Sequence, residues 1–182
     1  MATVAESVKR YRSFFKKNSA TTVLDYGTGT MRNALYLEKH GFMVYAADLP
    51  EQVARLKSRT GGPVVERLMA TDELPTSQLN VDLVLSTYVF NIIMESNDRR
   101  AYLDNVVRNL KPGGYLLMEV RCRQLSERCD PTCRDFFSCD ECSKTLTHHE
   151  LDLLLNPHGL QRISHYYRTH AISAIYQKGT TK

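Results

Sequence analysis

The chain has 182 residues, of which 42% are hydrophobic and 24% charged, and a formal charge of only +4. That length suits one domain with a full apolar core, and so mild a charge argues against a dedicated nucleic-acid partner, which needs a concentrated basic face. No apolar run is long enough to span a bilayer and no signal-peptide pattern opens the chain, so the expected location is cytoplasmic, where thiols stay reduced.

Val4, Val8, Tyr11, Phe14 and Phe15 recur at helical spacing and predict an amphipathic helix over residues 3–17. Its polar side carries Lys9, Arg10, Arg12, Lys16 and Lys17. Thr22-Val23-Leu24-Asp25 predicts a short buried strand that runs directly into Tyr26-Gly27-Thr28-Gly29-Thr30. A helix over residues 32–40 is closed by Gly41, and residues 44–47 form a second strand ending at Asp48. Pro50 suits the first position of a helix that stops at Thr60-Gly61-Gly62-Pro63. Residues 64–69 and 81–86 predict a third and a fourth strand. A helix over about 98–110 then meets the turn Lys111-Pro112-Gly113-Gly114, which feeds a strand over 115–120. Strands alternating with helices give an α/β class with a mostly parallel, doubly wound sheet.

The tail breaks the alternation. Thr147 and Glu150 form a capping box that opens a helix through Leu151, Leu154 and Leu155, and Asn156-Pro157-His158-Gly159 ends it. Two strands over 161–169 and 171–178 follow with almost nothing between them, so they must pair antiparallel. The expected sheet therefore has seven strands and closes on a C-terminal antiparallel hairpin, within one domain over 1–182.

Glycines at the turn from a strand into a helix let the backbone pass close to a ligand, at the carboxyl end of the strands where open α/β sheets bind. Asp48 lies 19 residues beyond Gly29, at the end of the next strand, where a carboxylate can accept both ribose hydroxyls of an adenosine. Several cofactors satisfy that pattern, nicotinamide dinucleotides among them.

The run from Val23 to Leu37, with Asp25-Tyr26-Gly27-Thr28-Gly29 at its centre, resembles the first motif of class I, Rossmann-like S-adenosylmethionine-dependent methyltransferases. Its continuation Arg32-Asn33-Ala34-Leu35-Tyr36-Leu37 is similar to the tellurite-resistance and thiopurine type of small-molecule methyltransferase. Asp48-Leu49, Val81 to Ser86, and Leu110 to Leu116 match later motifs in the right order. The resemblance implies that Asp25 fixes the loop near the methionine amino group, with Tyr26 and Thr28 in the same turn. Gly27 and Gly29 would admit the methionine and ribose, Asp48 would hold the ribose, and Leu49 would pack on the adenine. Ser86 would lie beneath the methionine end. The acid that the family commonly places before a Leu-Pro pair falls here on Ala70, so Thr71 or Asp72 is expected to substitute. The third glycine of the first motif is also replaced, near Thr30-Met31.

A sulfonium methyl is already activated, so alignment and exclusion of water matter more than any compulsory catalytic residue. Tyr11, Tyr88, Asn91 and Arg121 are the candidates to face an acceptor. The run Tyr88-Val89-Phe90-Asn91-Ile92-Ile93 lacks the prolines of exocyclic-amine DNA methylases, so a small-molecule acceptor leads, ahead of protein or RNA. Cys129, Cys133, Cys139 and Cys142, in an insertion at about 122–146, predict a closed structural zinc site. Two alternatives remain open: a nicotinamide-dependent oxidoreductase, and a non-catalytic partner subunit of methyltransferase shape.

Overall fold

Seven strands lie in the order β3-β2-β1-β4-β5-β7-β6, with helices against both faces of the sheet. The computed structural model describes residues 3–58, 65–122, 145–168 and 170–180. In chain order they form α1 (Glu6–Lys17), β1 (Thr22–Tyr26), α2 (Arg32–Lys39), β2 (Met43–Asp48), α3 (Pro50–Lys57), β3 (Arg67–Ala70), β4 (Val81–Thr87), α4 (Ser96–Asn109), β5 (Leu110–Arg121), α5 (His148–Leu155), β6 (Leu160–Arg168) and β7 (Ala171–Lys178).

The start and stop signals act as the sequence leads one to expect. Pro50 occupies the first turn of α3, and Gly41 follows α2 at φ +78°, donating its N–H to the Glu38 carbonyl at 2.8 Å. Thr147 and Glu150 cap α5 reciprocally: Thr147 N–H reaches the Glu150 carboxylate at 2.7 Å, and Glu150 N–H reaches the Thr147 hydroxyl at 3.3 Å.

Alternate strand residues feed two cores. Val23, Leu83, Leu85, Leu117 and Ile175 pack beneath α1 and α2. Leu24, Val84, Leu116, Met118, Ile172 and Tyr176 pack beneath α4 and α5. Full burial of one Leu- or Ile-sized side chain stabilises the fold by roughly 1.5–3 kcal/mol, so this two-sided burial is what holds the central strands.

One feature departs from the expected layout. Lys111-Pro112-Gly113-Gly114 lies within β5: Leu110 pairs with Val81, the register then shifts, and Tyr115 pairs with Leu83. Helix α4 therefore passes into the sheet without a loop, and Gly113 supplies the left-handed step at φ +75°. The sheet closes on the expected C-terminal antiparallel hairpin: β7 pairs antiparallel with both β5 and β6, leaving β6 at the edge. Burial explains the order. Residues 171–176 of β7 are all buried, as a strand with neighbours on both sides requires, whereas β6 alternates in exposure along its length. Among the described residues, no helix is long and apolar enough to cross a membrane.

Candidate active site

After Tyr26 the chain turns at Gly27 (φ +84°), and the Gly27 and Thr28 N–H groups both donate to the Ala47 carbonyl, at 2.8 and 3.0 Å. The turn is thereby fastened to the end of β2. Gly29 (φ +57°) and Met31 (φ +63°) are also left-handed. Met31 stands where a third glycine is expected, keeps the glycine conformation, and buries its side chain among the α1 and α2 residues. A non-glycine left-handed residue costs about 1–2 kcal/mol, and burial of Met31 opposes that strain.

Asp48 closes the other side. Its carboxylate accepts the Gly29 N–H at 2.6 Å and the Leu49 N–H at 2.8 Å. Gln52, one turn into α3, donates its side-chain amide to the Gly29 carbonyl at 2.6 Å. Asp25 lies behind this lattice, 1% exposed, accepting the Thr28 hydroxyl at 2.7 Å. Burial pushes its pKa up to about 6, against the hydrogen bonds from Thr28 and the Ala34 backbone, which favour the charged form.

A cavity of about 840 Å³ opens beside the turn, with Tyr26, Gly27, Asp48, Leu49, Thr71 and Asp72 on one side and residues 87–89 and the start of α4 on the other. A smaller hollow of about 450 Å³ adjoins it across Asp48 and Leu49 and is bordered by Gly29, Thr30 and Arg55. The Tyr26 ring stacks on Tyr102 of α4 at 4.1 Å between centroids, with an interplanar angle of 20°. Tyr102 donates its hydroxyl to Ser86 Oγ at 2.8 Å.

Six of the expected site residues thus meet around the cavity: Tyr26, Gly27, Asp48, Leu49, Thr71 and Asp72. Gly29 borders the adjoining hollow. Asp25, Thr28 and Ser86 are buried behind the lining; the Ser86 hydroxyl is taken by Tyr102, and the next residue, Thr87, reaches the cavity in its place. Of the four acceptor candidates only Tyr88 borders the cavity. Asn91 is 1% exposed, Tyr11 packs on Tyr166 of β6, and Arg121 is exposed at the end of β5. Sequence reasoning missed Thr87, Val89, Tyr102 and Asn105, which the fold carries to the cavity from the β4 end and α4.

The expected zinc ligands Cys129, Cys133, Cys139 and Cys142 lie outside the described residues. Among the described residues, no group of three or more His, Cys, Asp or Glu side chains is placed to hold a metal ion.

The family described as "Methyltransferase domain" matches residues 24–118. No curated protein matches the chain. Among solved structures, the chain resembles the 1,6-didemethyltoxoflavin-N1-methyltransferase of Burkholderia thailandensis, solved with 1,6-didemethyltoxoflavin and S-adenosylhomocysteine bound: TM-score 0.67 and 18% identity over 96% of this chain and 79% of that one. An S-adenosylmethionine-dependent methyltransferase from Aquifex aeolicus gives 0.66 and 21% over 91% and 88%. Human N-acetylserotonin methyltransferase, in complex with S-adenosylmethionine, gives 0.69 and 17% over 96% of this chain and 52% of that one.

Proposed function

The chain belongs to the methyltransferase domain family and is an S-adenosylmethionine-dependent methyltransferase, and from that premise we propose that its acceptor is a small molecule. The nicotinamide alternative falls with the family assignment. The observation that carries the acceptor reading is the cavity of about 840 Å³, whose lining joins the turn after β1 to the end of β4 and the start of α4. Pockets of roughly 300–1,000 Å³ enclose drug-sized ligands. That the Burkholderia relative was solved with a small heterocycle beside its cofactor product supports the same reading.

The residues present fit the cofactor. A Cβ built on Gly29 would meet nothing within 4 Å, so the turn borders free space there. Asp48 and Leu49 border both the large cavity and the smaller hollow, which suits a ligand with two arms. In this reading Asp48 holds the ribose, Leu49 the adenine, and Thr71 and Asp72 the adenine edge, while Gly27 and Gly29 leave room for the chain between. Asp25, Thr28 and Ser86 act from behind, fixing the turn and Tyr102. The bound cofactor supplies a sulfonium-activated methyl group. The protein aligns the acceptor with it, and Tyr26, Val89, Ile92 and Ile93 keep water away.

Calorimetry with S-adenosylhomocysteine tests the cofactor site, and labelled S-adenosylmethionine with a panel of small acceptors tests the substrate class. Turnover with a protein or RNA and none with small molecules would overturn it. The cytoplasmic location and the zinc rest on the sequence alone. Elemental analysis of protein purified without added metal decides the zinc: about one equivalent supports it, and less than about a tenth removes it.

A further inference from the structure

Charge is distributed one way around the cavity. Among the described residues its lining holds the carboxylates of Asp48, Asp72, Glu95 and Asp98, and no lysine, arginine or histidine. None of these acids enters an ion pair among the described residues. The cations of the neighbourhood stay outside. Arg55 borders only the adjoining hollow, and the buried Arg99 donates its Nε–H to the Ile93 carbonyl at 2.6 Å with its guanidinium over the Phe90 ring. Arg32 and Arg168 lie near enough to Tyr88 to favour its charged form, but border neither space.

In the proposed cofactor site Asp48 and Asp72 serve the ribose and the adenine, which leaves Glu95 and Asp98. Glu95 is the N-cap of α4 and Asp98 lies in its first turn; both are exposed, and the Glu95 side chain makes no capping hydrogen bond. A helix N-terminus carries roughly half a positive charge, so two whole negative charges reverse the sign that an anion would seek there. Tyr26, Tyr88 and Tyr102 border the same space, and aromatic faces attract cations within about 6 Å of the ring centroid.

Thr87 shows independently that the cavity awaits a polar ligand. It borders the cavity and is only 8% exposed. The Asn33 carbonyl is taken by the Ala5 N–H at 2.9 Å, so the Asn33 amide must face Thr87, whose Oγ1 accepts it at 3.0 Å. The Thr87 hydroxyl therefore keeps its own proton to give, and it meets no acceptor among the described residues. Behind Thr87, the buried Glu119 of β5 pairs with it in register, takes the Tyr88 N–H on its backbone carbonyl at 2.7 Å and accepts the Ser7 hydroxyl on its carboxylate. Glu119, too, is absent from the ion pairs among the described residues.

Resting on the methyltransferase reading, we propose that the methyl acceptor is a small organic cation: a protonated amine on an apolar body that also carries an oxygen or ring nitrogen to take the Thr87 proton. The ammonium group lies at the start of α4, between Glu95, Asp98 and the tyrosine rings, and the apolar body lies against Val89, Ile92 and Ile93. The charge is a handle for binding. A cleft lined by one sign of charge focuses its field and draws in the opposite sign, and an anionic acceptor meets the same acids as a barrier.

The test is calorimetric, on the complex with S-adenosylhomocysteine. A parent that does not bind S-adenosylhomocysteine removes the methyltransferase reading and this proposal with it. The probes are tyramine, tyrosol and hydroxyphenylacetate, and aminohexanol, hexanediol and hydroxyhexanoate, so that each amine stands beside its alcohol and its carboxylate. Each amine should bind about tenfold more tightly than its alcohol, the sum of two exposed charge pairs and one cation–π contact, and each carboxylate should bind most weakly. The amine preference should shrink in about 1 M salt, where charges are screened beyond about 3 Å, and vanish in the double variant Glu95→Gln, Asp98→Asn. Thr87→Val should weaken tyramine and tyrosol alike, by about fivefold, because it serves the oxygen and not the charge. Equal affinity for amine and alcohol in the parent, or preference for the carboxylate, overturns the proposal, and so does a preference that survives the double variant. Unchanged affinities in Thr87→Val overturn the Thr87 contact. A parent that binds S-adenosylhomocysteine and none of these compounds also overturns the proposal, yet leaves the cofactor reading standing. Should the double variant fail to fold, the salt dependence of the parent decides.

Discussion

The Asp48 carboxylate accepts the Gly29 N–H at 2.6 Å, so the ends of β1 and β2 are tied together by a side chain that also borders the cavity. In the proposed cofactor site one residue would thus serve the turn and the ligand at once. Asp48→Ala should weaken S-adenosylhomocysteine binding by about 10- to 100-fold, since each hydrogen bond to a charged group contributes roughly 1.5–3 kcal/mol. Calorimetry checks it, and unchanged affinity would remove Asp48 from the ribose site.

The two glycines of the turn should respond differently to alanine. A Cβ on Gly27 would lie 2.3 Å from Val89 Cγ2, whereas one on Gly29 would meet nothing within 4 Å. Gly27→Ala should therefore destabilise the fold, by about 1–3 kcal/mol for overpacking beyond the left-handed backbone strain. Gly29→Ala should cost only that strain, about 1–2 kcal/mol, and should lose cofactor affinity. Paired thermal unfolding and S-adenosylhomocysteine titrations separate these outcomes; equal unfolding losses would contradict the geometry.

Asp25 gives stability a defined pH dependence. Burial raises its pKa from 3.8 to about 6, so the folded state prefers the protonated carboxyl. Its favourable contribution is then fully present below about pH 4 and lost as pH rises through about 6. Asp25→Asn, which stays neutral, should stabilise the cofactor-free protein at pH 8 by roughly 1–3 kcal/mol. The gain should vanish near pH 4. Denaturant unfolding of both proteins at several pH values reads the difference, and a gain independent of pH would sink the assignment to Asp25.

Tyr102→Phe removes the hydroxyl that serves Ser86 Oγ at 2.8 Å while leaving the ring that stacks on Tyr26. Ser86 is fully buried, so a loss of about 1–3 kcal/mol in stability is expected, the cost of a buried polar group left without its partner. Cofactor affinity should change little, because the ring still backs the cavity. A large loss of affinity with intact stability would mean that the hydroxyl, not the ring, serves the ligand.

The sequence alone determined the α/β layering, the glycine turn between β1 and α2, Asp48 at the end of β2 and the capped helix α5. Each rests on local physics: apolar periodicity, proline and glycine conformation, and a carboxylate or hydroxyl within reach of free backbone N–H groups. It also carried enough ordered motifs to point to the methyl donor. Only the tertiary structure decided the rest. That β7 lies between β5 and β6 depends on which strand can be covered on both faces, although the contrast between its apolar run and the alternating β6 was there to be read. That Ser86 faces Tyr102 while Thr87 faces the cavity follows from the alternation of β4 against helices whose positions no local pattern fixes. Glu119 shows the limit most clearly. In the chain it is one acid in an apolar strand, 31 residues from Tyr88 and 112 from Ser7. Sheet register and the docking of α1 bring the three together, because long-range pairing, unlike capping or turn chemistry, is chosen by the whole core at once.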